Sequence, residues 1–409
     1  MSAGTAQTDG GELIHSARWI EALDRQSTII MAIFARAGFE PVAPPVIQPA
    51  DVFLDLIGED LRQRTYVFTD PEGEELCLRP DLTIPTCRLY LARHGRTGDG
   101  RPAPPRSARF AYNGVVFRYQ PTGGTIARPR EFRQAGIESF AAADPARSDA
   151  ETLALTIEAV RASGLRAFRL HVGDIAIFRA LLDAIAMPGR WRARLMHHFR
   201  HPEAFRRELG RLVRQGEASG RAREEALLQV GALAEPEAVA FLEAHLAAAG
   251  CTIAGTRSLE EIAERLKERA LDAATAPLAP EAARLIETYL AIEAPAQEAA
   301  ARIAKLTEAA GIDIAPALEA YETRLKLFAE EGVDVSQARF SAGFGRAFEY
   351  YTGFVFELLA PALEAQTPIA GGGRYDTLVE AISAGERVPA VGSAIHADRL
   401  LLAVRGGTP

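Results

Sequence analysis

The stretch REFRQAGIESF, residues 130–140, decides how the fold of this chain is interpreted. Side chains of a β-strand alternate between its two faces, so every second residue shares a face. One such face carries Phe132, Gln134, Gly136, Glu138 and Phe140. Burying an unpaired carboxylate is costly, so this polar face makes a poor core but a suitable wall for a polar pocket. The alternative is an edge strand whose polar face lies in water, and the stretch alone leaves both interpretations open.

Other segments carry side chains that could complete such a pocket. LRPDLTIPTCR places Asp81 and Thr83 after a strand, where they suit an ammonium group or a helix cap. FRYQPTGGTIARPREF, residues 117–132, predicts two strands joined by a glycine-rich loop, and its arginines could hold phosphates or carboxylates. RAFEYYTGFVFE adds Arg346 and a tyrosine pair, and GGGRYD adds Tyr375. Together these segments favour the pocket over the edge strand.

The residue pattern along the chain predicts a mixed α and β core that is interrupted by a helical segment. Residues 1–11 are rich in small and polar residues and predict a disordered start. Residues 12–180 and 311–405 mix helical and strand patterns, whereas residues 181–310 are rich in Ala, Leu, Glu and Arg and predict helices only. A helical block between two halves of one mixed domain indicates an insertion. Within the first half, residues 65–78, TYVFTDPEGEELCL, predict a hairpin that turns at DPEG.

Composition excludes several classes of protein. No apolar run of the 409-residue chain reaches the roughly 20 residues that a membrane helix needs, and the start has no secretory pattern, so we expect a cytoplasmic protein. The formal net charge of −8 argues against nucleic-acid binding, because nucleic-acid binders usually carry a basic face. The chain has three cysteines and no C-x-x-C motif, so we expect no disulfide framework. We expect no metal site at His197 and His201, because the sequence offers no third ligand beside them. We also expect no cofactor.

The ordered set of motifs resembles histidyl-tRNA synthetase. The matching segments, in chain order, are GFEPVAPPVIQ, LRPDLT, FRYQ with REFRQAGIE, EYYTGFVFE, GGGRYDTLVE and AVGSAIHADRL. The resemblance implies an α+β fold of the class II aminoacyl-tRNA synthetase type, with an antiparallel sheet flanked by helices and an all-helical insertion. It also implies a homodimer built around the segment that ends at Pro45. A synthetase would continue into an anticodon-binding domain, whereas only five residues follow Val404.

The resemblance to a synthetase is weaker on the ATP side of the site than on the amino-acid side. It places Arg118, Arg128, Arg346 and Arg399 at a remnant ATP or phosphate site. Departures cluster there: Gln120 replaces a glutamate that helps to hold ATP, and His396 replaces a glycine and should crowd that site. The amino-acid side is better kept, and by resemblance the residues that bind histidine are Asp81, Thr83, Gln134, Glu138, Tyr351 and Tyr375. A carboxylate at 138 can accept from an imidazole N–H, and Asp81 can pair with an α-ammonium group.

LRPDLTIP is more similar to the regulatory subunits of ATP phosphoribosyltransferase than to the synthetase. That resemblance implies a non-catalytic partner of a short-form catalytic subunit in the first step of histidine biosynthesis, which condenses ATP with phosphoribosyl pyrophosphate. The chain would be needed for activity and for feedback inhibition by L-histidine. The alternatives are a truncated histidyl-tRNA synthetase paralogue that still forms histidyl-adenylate, and a module that binds a modified amino acid or an RNA end.

Overall fold

A computed structural model describes most of the chain in two compact units. One unit comprises Met1–Ala186 with Thr288–Pro409, and the other comprises Met187–Glu287. The described residues are 5–7, 13–54, 62–95, 104–120, 129–199, 201–214, 230–231, 233–248, 258–344, 350–363, 367–383 and 387–406.

A nine-stranded mixed sheet forms the centre of the larger unit. The strands are β3 (Glu40–Val42), β7 (Ala108–Phe117), β8 (Glu131–Phe140), β9 (Arg169–Asp174), β10 (Glu293–Pro295), β11 (Arg339–Ser341), β12 (Phe354–Leu359), β13 (Ala370–Arg374) and β14 (Ala390–His396). Their order across the sheet is β10-β11-β9-β12-β13-β14-β8-β7-β3. Neighbours pair antiparallel except β11 with β9 and β3 with β7, which are parallel. The predicted antiparallel sheet is therefore confirmed, with parallel pairs near its two edges.

Helices cover this sheet. They are α1 (Ala17–Arg36), α2 (Ala50–Leu54), α3 (Thr83–His94), α4 (Pro145–Ala162), α5 (Ile175–Ala184), α11 (Ala296–Ala309), α12 (Ala315–Glu330), α13 (Leu378–Ser383) and α14 (Ala397–Val404). The side chains of Asp144 and Asp174 cap α4 and α5 by accepting from backbone amides of the first turn, as short acceptors at helix starts do. Helix α4 lies against β14, β8 and β13, and α1 lies against β7 and β8.

A second, three-stranded sheet contains the hairpin that the sequence predicted. Its order is β4-β6-β5, formed by Ile47–Pro49, Glu75–Leu78 and Tyr66–Thr69. Strands β5 and β6 pair antiparallel from Tyr66 opposite Leu78 to Thr69 opposite Glu75, which confirms the hairpin. The side chain of Asp70 accepts from the backbone amides of Glu72 and Glu74 and so fixes the turn.

The smaller unit is helical over its described residues. Its helices are α6 (Gly189–His198), α7 (Pro202–Val213), α8 (Glu235–Ala248) and α9 (Leu259–Ala273), and α10 (Pro280–Leu290) spans its boundary with the larger unit. The predicted helical range of 181–310 was too wide, because residues 293–295 form β10 of the large sheet. A three-residue strand is too short to show an alternating pattern inside an alanine- and glutamate-rich segment.

The start of the chain also differs from the prediction. Thr5–Gln7 (β1) pairs antiparallel with Leu13–His15 (β2), although residues 1–11 were expected to be disordered. The intervening sequence contains Asp9-Gly10, which is a typical turn signal of a hairpin. Among the described residues, no helix is long and apolar enough to cross a membrane.

Candidate histidine-type pocket

Strand β8 lies in the interior of the sheet, between β14 and β7. The side chains of Gln134 and Glu138 are both buried. The edge-strand interpretation is therefore wrong, and the polar face of β8 needs partners inside the protein. Gln134 has one, because its Oε1 accepts from the backbone amide of Leu82 at 3.0 Å. This bond joins the middle of β8 to the start of α3.

Glu138 is completely buried and held by two tyrosines. Its Oε1 accepts from the hydroxyl of Tyr112 at 3.0 Å, and its Oε2 accepts from the hydroxyl of Tyr375. Burial raises the pKa of Glu138 to about 8, although hydrogen bonds from Tyr375, Thr83 and Tyr112 act in the opposite direction. Glycine is required beside it, because a Cβ at Gly392 would lie 1.6 Å from Glu138 Oε2. The carboxyl group is thus enclosed on all sides.

Asp81 supplies a second buried carboxylate at the start of α3. Its Oδ1 accepts from the backbone amide of Ile84 at 3.3 Å, whereas its Oδ2 has no hydrogen-bond partner among the described residues. Burial raises the pKa of Asp81, and the charge of Arg118 counters part of that effect. Burial raises the pKa of Glu138, Tyr112 and Tyr351, and the charge of Asp81 adds to that effect, so these groups favour their neutral, protonated forms.

Three tyrosines pack together in the same region. The ring of Tyr350 lies edge-on to that of Tyr351, with centroids 4.9 Å apart, and 5.8 Å from that of Tyr375. The hydroxyls of Tyr350 and Tyr351 are linked by a hydrogen bond, and burial raises the pKa of both groups. Tyr351 is the half-buried member and is therefore the tyrosine that a ligand would meet first.

Two of the four arginines predicted for a remnant phosphate site lie among the described residues, and the site itself stays a prediction. Arg118 Nε donates to the Pro80 carbonyl at 2.8 Å, and its guanidinium lies 5.1 Å from the ring centroid of Phe132. Arg399 donates to the Pro368 carbonyl at 3.0 Å. Arg128 and Arg346 lie outside the described residues, so their prediction stays a prediction.

His396 occupies the space beside Phe132. Its ring stacks on the Phe132 ring with centroids 4.6 Å apart and planes inclined by 19°. Burial, together with the charges of Arg399 and Arg118, holds the pKa of His396 well below its ordinary value, so the imidazole is neutral. An adenine ring could not stack on this side of Phe132 while His396 stays in place. The crowding of an ATP site by His396 stays a prediction.

The structure brings the six residues predicted for histidine binding into one region and adds a seventh, Tyr112. Sequence reasoning missed Tyr112 because a tyrosine on a strand is ordinarily a core residue. The structure shows why Tyr112 belongs to this region, because Tyr112 on β7 lies opposite Gly136 on β8. A Cβ at Gly136 would lie 2.6 Å from the Tyr112 hydroxyl, so the glycine gives this ring its room.

Metal ligands do not cluster in this part of the molecule. No group of three His, Cys, Asp or Glu side chains suited to a metal ion occurs among the described residues. His197 lies in the last turn of α6, whereas His201 lies beyond the end of that helix as the N-cap residue of α7, so the two histidines do not lie on one helix.

Comparison with known proteins agrees with this geometry. A family model described as histidyl-tRNA synthetase matches residues 15–272 and 237–400. A solved structure from Bacillus halodurans, described as an ATP phosphoribosyltransferase regulatory subunit/histidyl-tRNA synthetase, superimposes with a TM-score of 0.65 at 19% identity and covers 96% of this chain and 82% of its own. A histidine–tRNA ligase subunit from Alicyclobacillus acidocaldarius gives a TM-score of 0.56 at 22% identity, over 98% of each chain. These two structures show the fold.

Curated relatives are more similar in sequence. The ATP phosphoribosyltransferase regulatory subunit of Brucella anthropi is 36% identical over 371 residues, which is 89% of this chain and 93% of the relative. That of Allorhizobium ampelinum is 38% identical over 374 residues, or 90% and 95% of the two chains. Identity of this extent over nearly whole chains shows that the chain belongs to the family of ATP phosphoribosyltransferase regulatory subunits.

Proposed function

We propose that this chain is a non-catalytic subunit of ATP phosphoribosyltransferase that activates a short-form catalytic subunit and transmits feedback inhibition by L-histidine. The observation that carries the proposal is the buried polar cluster around Asp81 and Glu138. Two carboxyl groups lie there with Arg118 as the nearby cation, and Asp81 Oδ2 has no hydrogen-bond partner among the described residues. A buried acceptor without a partner favours a ligand that carries an ammonium group, and the polar side chains around it offer hydrogen bonds to an imidazole.

The absence of catalysis is the second part of the proposal. Adenylate chemistry depends on positioned groups that stabilise developing charge on phosphate. Here Arg118 and Arg399 donate to backbone carbonyls, and the neutral His396 covers Phe132. A chain with this arrangement should bind histidine without activating it. The transferase chemistry would then belong entirely to the partner subunit.

The decisive experiment is reconstitution with a short-form catalytic subunit. The two chains should co-purify, and transferase activity should require this chain and should fall when L-histidine is added. Glutamine at the same concentration is the matched control ligand, because it keeps the amino-acid backbone and lacks the imidazole. Activity that is independent of this chain would overturn the activating role, and activity that histidine leaves unchanged would overturn the feedback role.

The rival interpretation is an enzyme that forms histidyl-adenylate. It predicts histidine-dependent exchange of pyrophosphate into ATP by the isolated protein, whereas our proposal predicts none. The measurement needs an active histidyl-tRNA synthetase as a positive control under the same conditions. Clear exchange that depends on histidine would establish the rival.

The resemblance also supports a homodimer within the hetero-oligomer. Light scattering after size-exclusion chromatography should give about twice the 44.1 kDa mass of one chain in the absence of the catalytic subunit. A monomer at micromolar concentration would contradict the homodimer and leave the regulatory role to the reconstitution experiment.

A further inference from the structure

A groove with a volume of about 740 Å³ lies between α4 and the turn that follows α12. Its apolar lining includes Ala154, Leu155 and Ile157 from α4 and Val333 from the turn. Gly332 has a φ of +79° and ends α12, so that the chain turns and brings Val333 into the groove. None of these residues belongs to the candidate pocket, and the proposed function has so far assigned the groove no task.

The carboxylates of the groove are already neutralised within the chain. Three glutamates line it, and each pairs with an arginine outside the lining: Glu151 with Arg109, Glu158 with Arg36, and Glu331 with Arg147. An opposite charge within an ion pair offsets most of the attraction that a carboxylate exerts on a further cation. The groove is therefore a poor site for a cationic ligand.

The two arginines of the lining are in the opposite situation. Arg161 lies in the last turn of α4 and Arg166 follows the helix, and both are exposed and form no ion pair among the described residues. The Arg161 guanidinium lies 5.6 Å from the ring centroid of Phe168, and Asp334, which is within reach of its charge, is bonded to Ser336. A cation in the last turn stabilises a helix end, but that role does not extend to Arg166. The groove thus offers two positive charges beside an apolar lining.

Helix α4 also joins the groove to the strands that hold the candidate pocket. On the side of α4 that faces the sheet, Asp149 accepts from Arg374 at 2.6 Å. The next residue along the chain is Tyr375, whose hydroxyl donates to Glu138. A partner seated in the groove would therefore contact a helix that is bound directly to the framework of the pocket.

We propose that the groove between α4 and α12 anchors the catalytic subunit, through a segment of that subunit that carries Asp or Glu beside aliphatic side chains. This inference rests on the proposed function and gives the required partner a docking surface. An apolar centre with a charged rim is typical of protein interfaces, whereas small-molecule sites are predominantly apolar. A stable interface buries about 800 Å² on each partner, so the groove would be the anchor of a larger contact.

A second copy of this chain is the less suitable occupant. The homodimer is expected around the segment that ends at Pro45, and that segment does not contribute to the lining of the groove. The groove is therefore available to a different chain when the homodimer forms as expected.

Titration of the full chain with a short-form catalytic subunit tests the docking surface. The double variant Arg161→Glu, Arg166→Glu should weaken binding roughly ten- to a hundred-fold, the range expected for lost charge-assisted hydrogen bonds. Its binding should also depend less on salt than that of the wild type. Arg302→Glu is the matched control, because Arg302 is an exposed arginine of α11 that does not line the groove.

A second variant blocks the groove without changing its charge. Ala162 ends α4, is exposed and lines the groove, so Ala162→Trp places a large ring there without disturbing the core. It should weaken binding by a similar factor. Thermal unfolding and the mass of the isolated protein should match the wild type for both variants, since neither removes a buried contact.

The outcomes separate this inference from the proposed function. If both variants bind the catalytic subunit as tightly as the wild type, the docking surface is wrong and the regulatory function stands. Loss of the homodimer would instead make the groove a contact between copies of this chain, and a matching loss of thermal stability would assign these residues to folding. Either result would overturn the inference. A wild-type chain that does not bind the catalytic subunit would overturn the proposed function and this occupant with it.

Discussion

Glu138 shows how a single carboxyl group can be shaped by burial. Its pKa rises to about 8 because the interior of the sheet disfavours the charged form more than the tyrosine hydroxyls favour it. Between about pH 4.5 and 8 the folded chain therefore holds a proton that the unfolded chain releases. The stabilising contribution of the proton on Glu138 is complete below the pKa that this group has in the unfolded chain. It is lost as the pH rises through the pKa that the group has in the folded chain.

Glu138→Gln should therefore change the pH dependence of stability in the empty protein. Glutamine resembles the protonated form at every pH, so the free energy of unfolding of the wild type should fall relative to this variant as the pH rises. Within the window the relative slope should approach about 1.4 kcal/mol per pH unit. Thermal unfolding between pH 5 and 9 measures the difference, and two parallel stability curves would refute the assignment.

At the level of single residues, the sequence predicted part of the candidate site. The polar face of β8 could be recognised because Gln134 and Glu138 flank a glycine at strand spacing. The unpaired oxygen of Asp81 and the role of Tyr112 could not, because both depend on which strands and helices meet in three dimensions. The resemblance to a synthetase supplied the chemistry of the six residues, and the structure supplied the difference between the two carboxylates.

Strand β14 approaches β8 so closely that glycine is obligatory where they meet. Gly392 pairs with Glu138, and its missing side chain leaves the space that the carboxyl group fills. Gly372 of β13 serves the same strand from the other side, since a Cβ there would lie 2.3 Å from the Gly392 carbonyl oxygen, whereas a Cβ at Gly373 would lie 2.5 Å from the Phe354 carbonyl oxygen of β12. The GGGRYD motif thus reflects strand packing as well as the placement of Tyr375.

Gly392→Ala should be strongly destabilising. The new methyl group would overlap Glu138 Oε2, so either the strand pairing or the carboxyl group must move, at about 1–3 kcal/mol or more of unfolding free energy. Gly189→Ala is the control, because a Cβ there meets nothing within 4 Å and the residue starts α6. Chemical denaturation of both variants provides the comparison, and equal midpoints would contradict the packing argument.

A buried chain of ion pairs joins the helices to the sheet near the same motif. Asp149 on α4 accepts from Arg374 at 2.6 Å and from Arg324 on α12 at 2.9 Å, and Arg324 also donates to Asp174 at 2.6 Å. Removal of one partner from a buried pair leaves an uncompensated charge, which is costly. The network therefore fixes the relative positions of α4, α12 and β13.

Asp149→Asn should lower the free energy of unfolding by about 3–5 kcal/mol, because two buried guanidinium groups lose their shared carboxylate. The exposed pair of Arg147 with Glu330 offers a matched control, and Glu330→Gln should change stability little. Urea unfolding of the two variants measures the contrast. Similar losses in both would mean that the buried network contributes no more than a surface pair.

At the scale of the whole chain, the two compact units differ in how they are held together. The larger unit depends on the sheet and its covering helices, whereas Met187–Glu287 has its own apolar cluster. That cluster contains Val230, Ala238, Leu242 and Ala263. The change in residue composition along the sequence indicated such a division. It placed the C-terminal end of the helical range at residue 310, because composition does not reveal a short strand such as β10.

The smaller unit should fold when it is expressed alone. Its side chains converge on Asp272, which accepts from Arg190 at 2.7 Å, from Trp191 Nε1 at 2.6 Å and from Arg194 at 2.5 Å. Burial of Asp272 acts to raise its pKa, but these hydrogen bonds outweigh it and lower the pKa, so the stabilisation persists above the ordinary carboxyl range and is lost as the pH falls.

A fragment of residues 187–287 should therefore give a helical circular dichroism spectrum and a cooperative thermal transition. Asp272→Asn in the fragment should lower the transition temperature at pH 7 and should matter progressively less as the pH falls towards 3, where the wild-type carboxylate also loses its charge. Glu281→Gln removes an exposed carboxylate from the same unit and is the control. A coil-like spectrum would mean that this unit depends on the large sheet for its folding, and an unchanged transition in Asp272→Asn would mean that its apolar cluster alone holds it together.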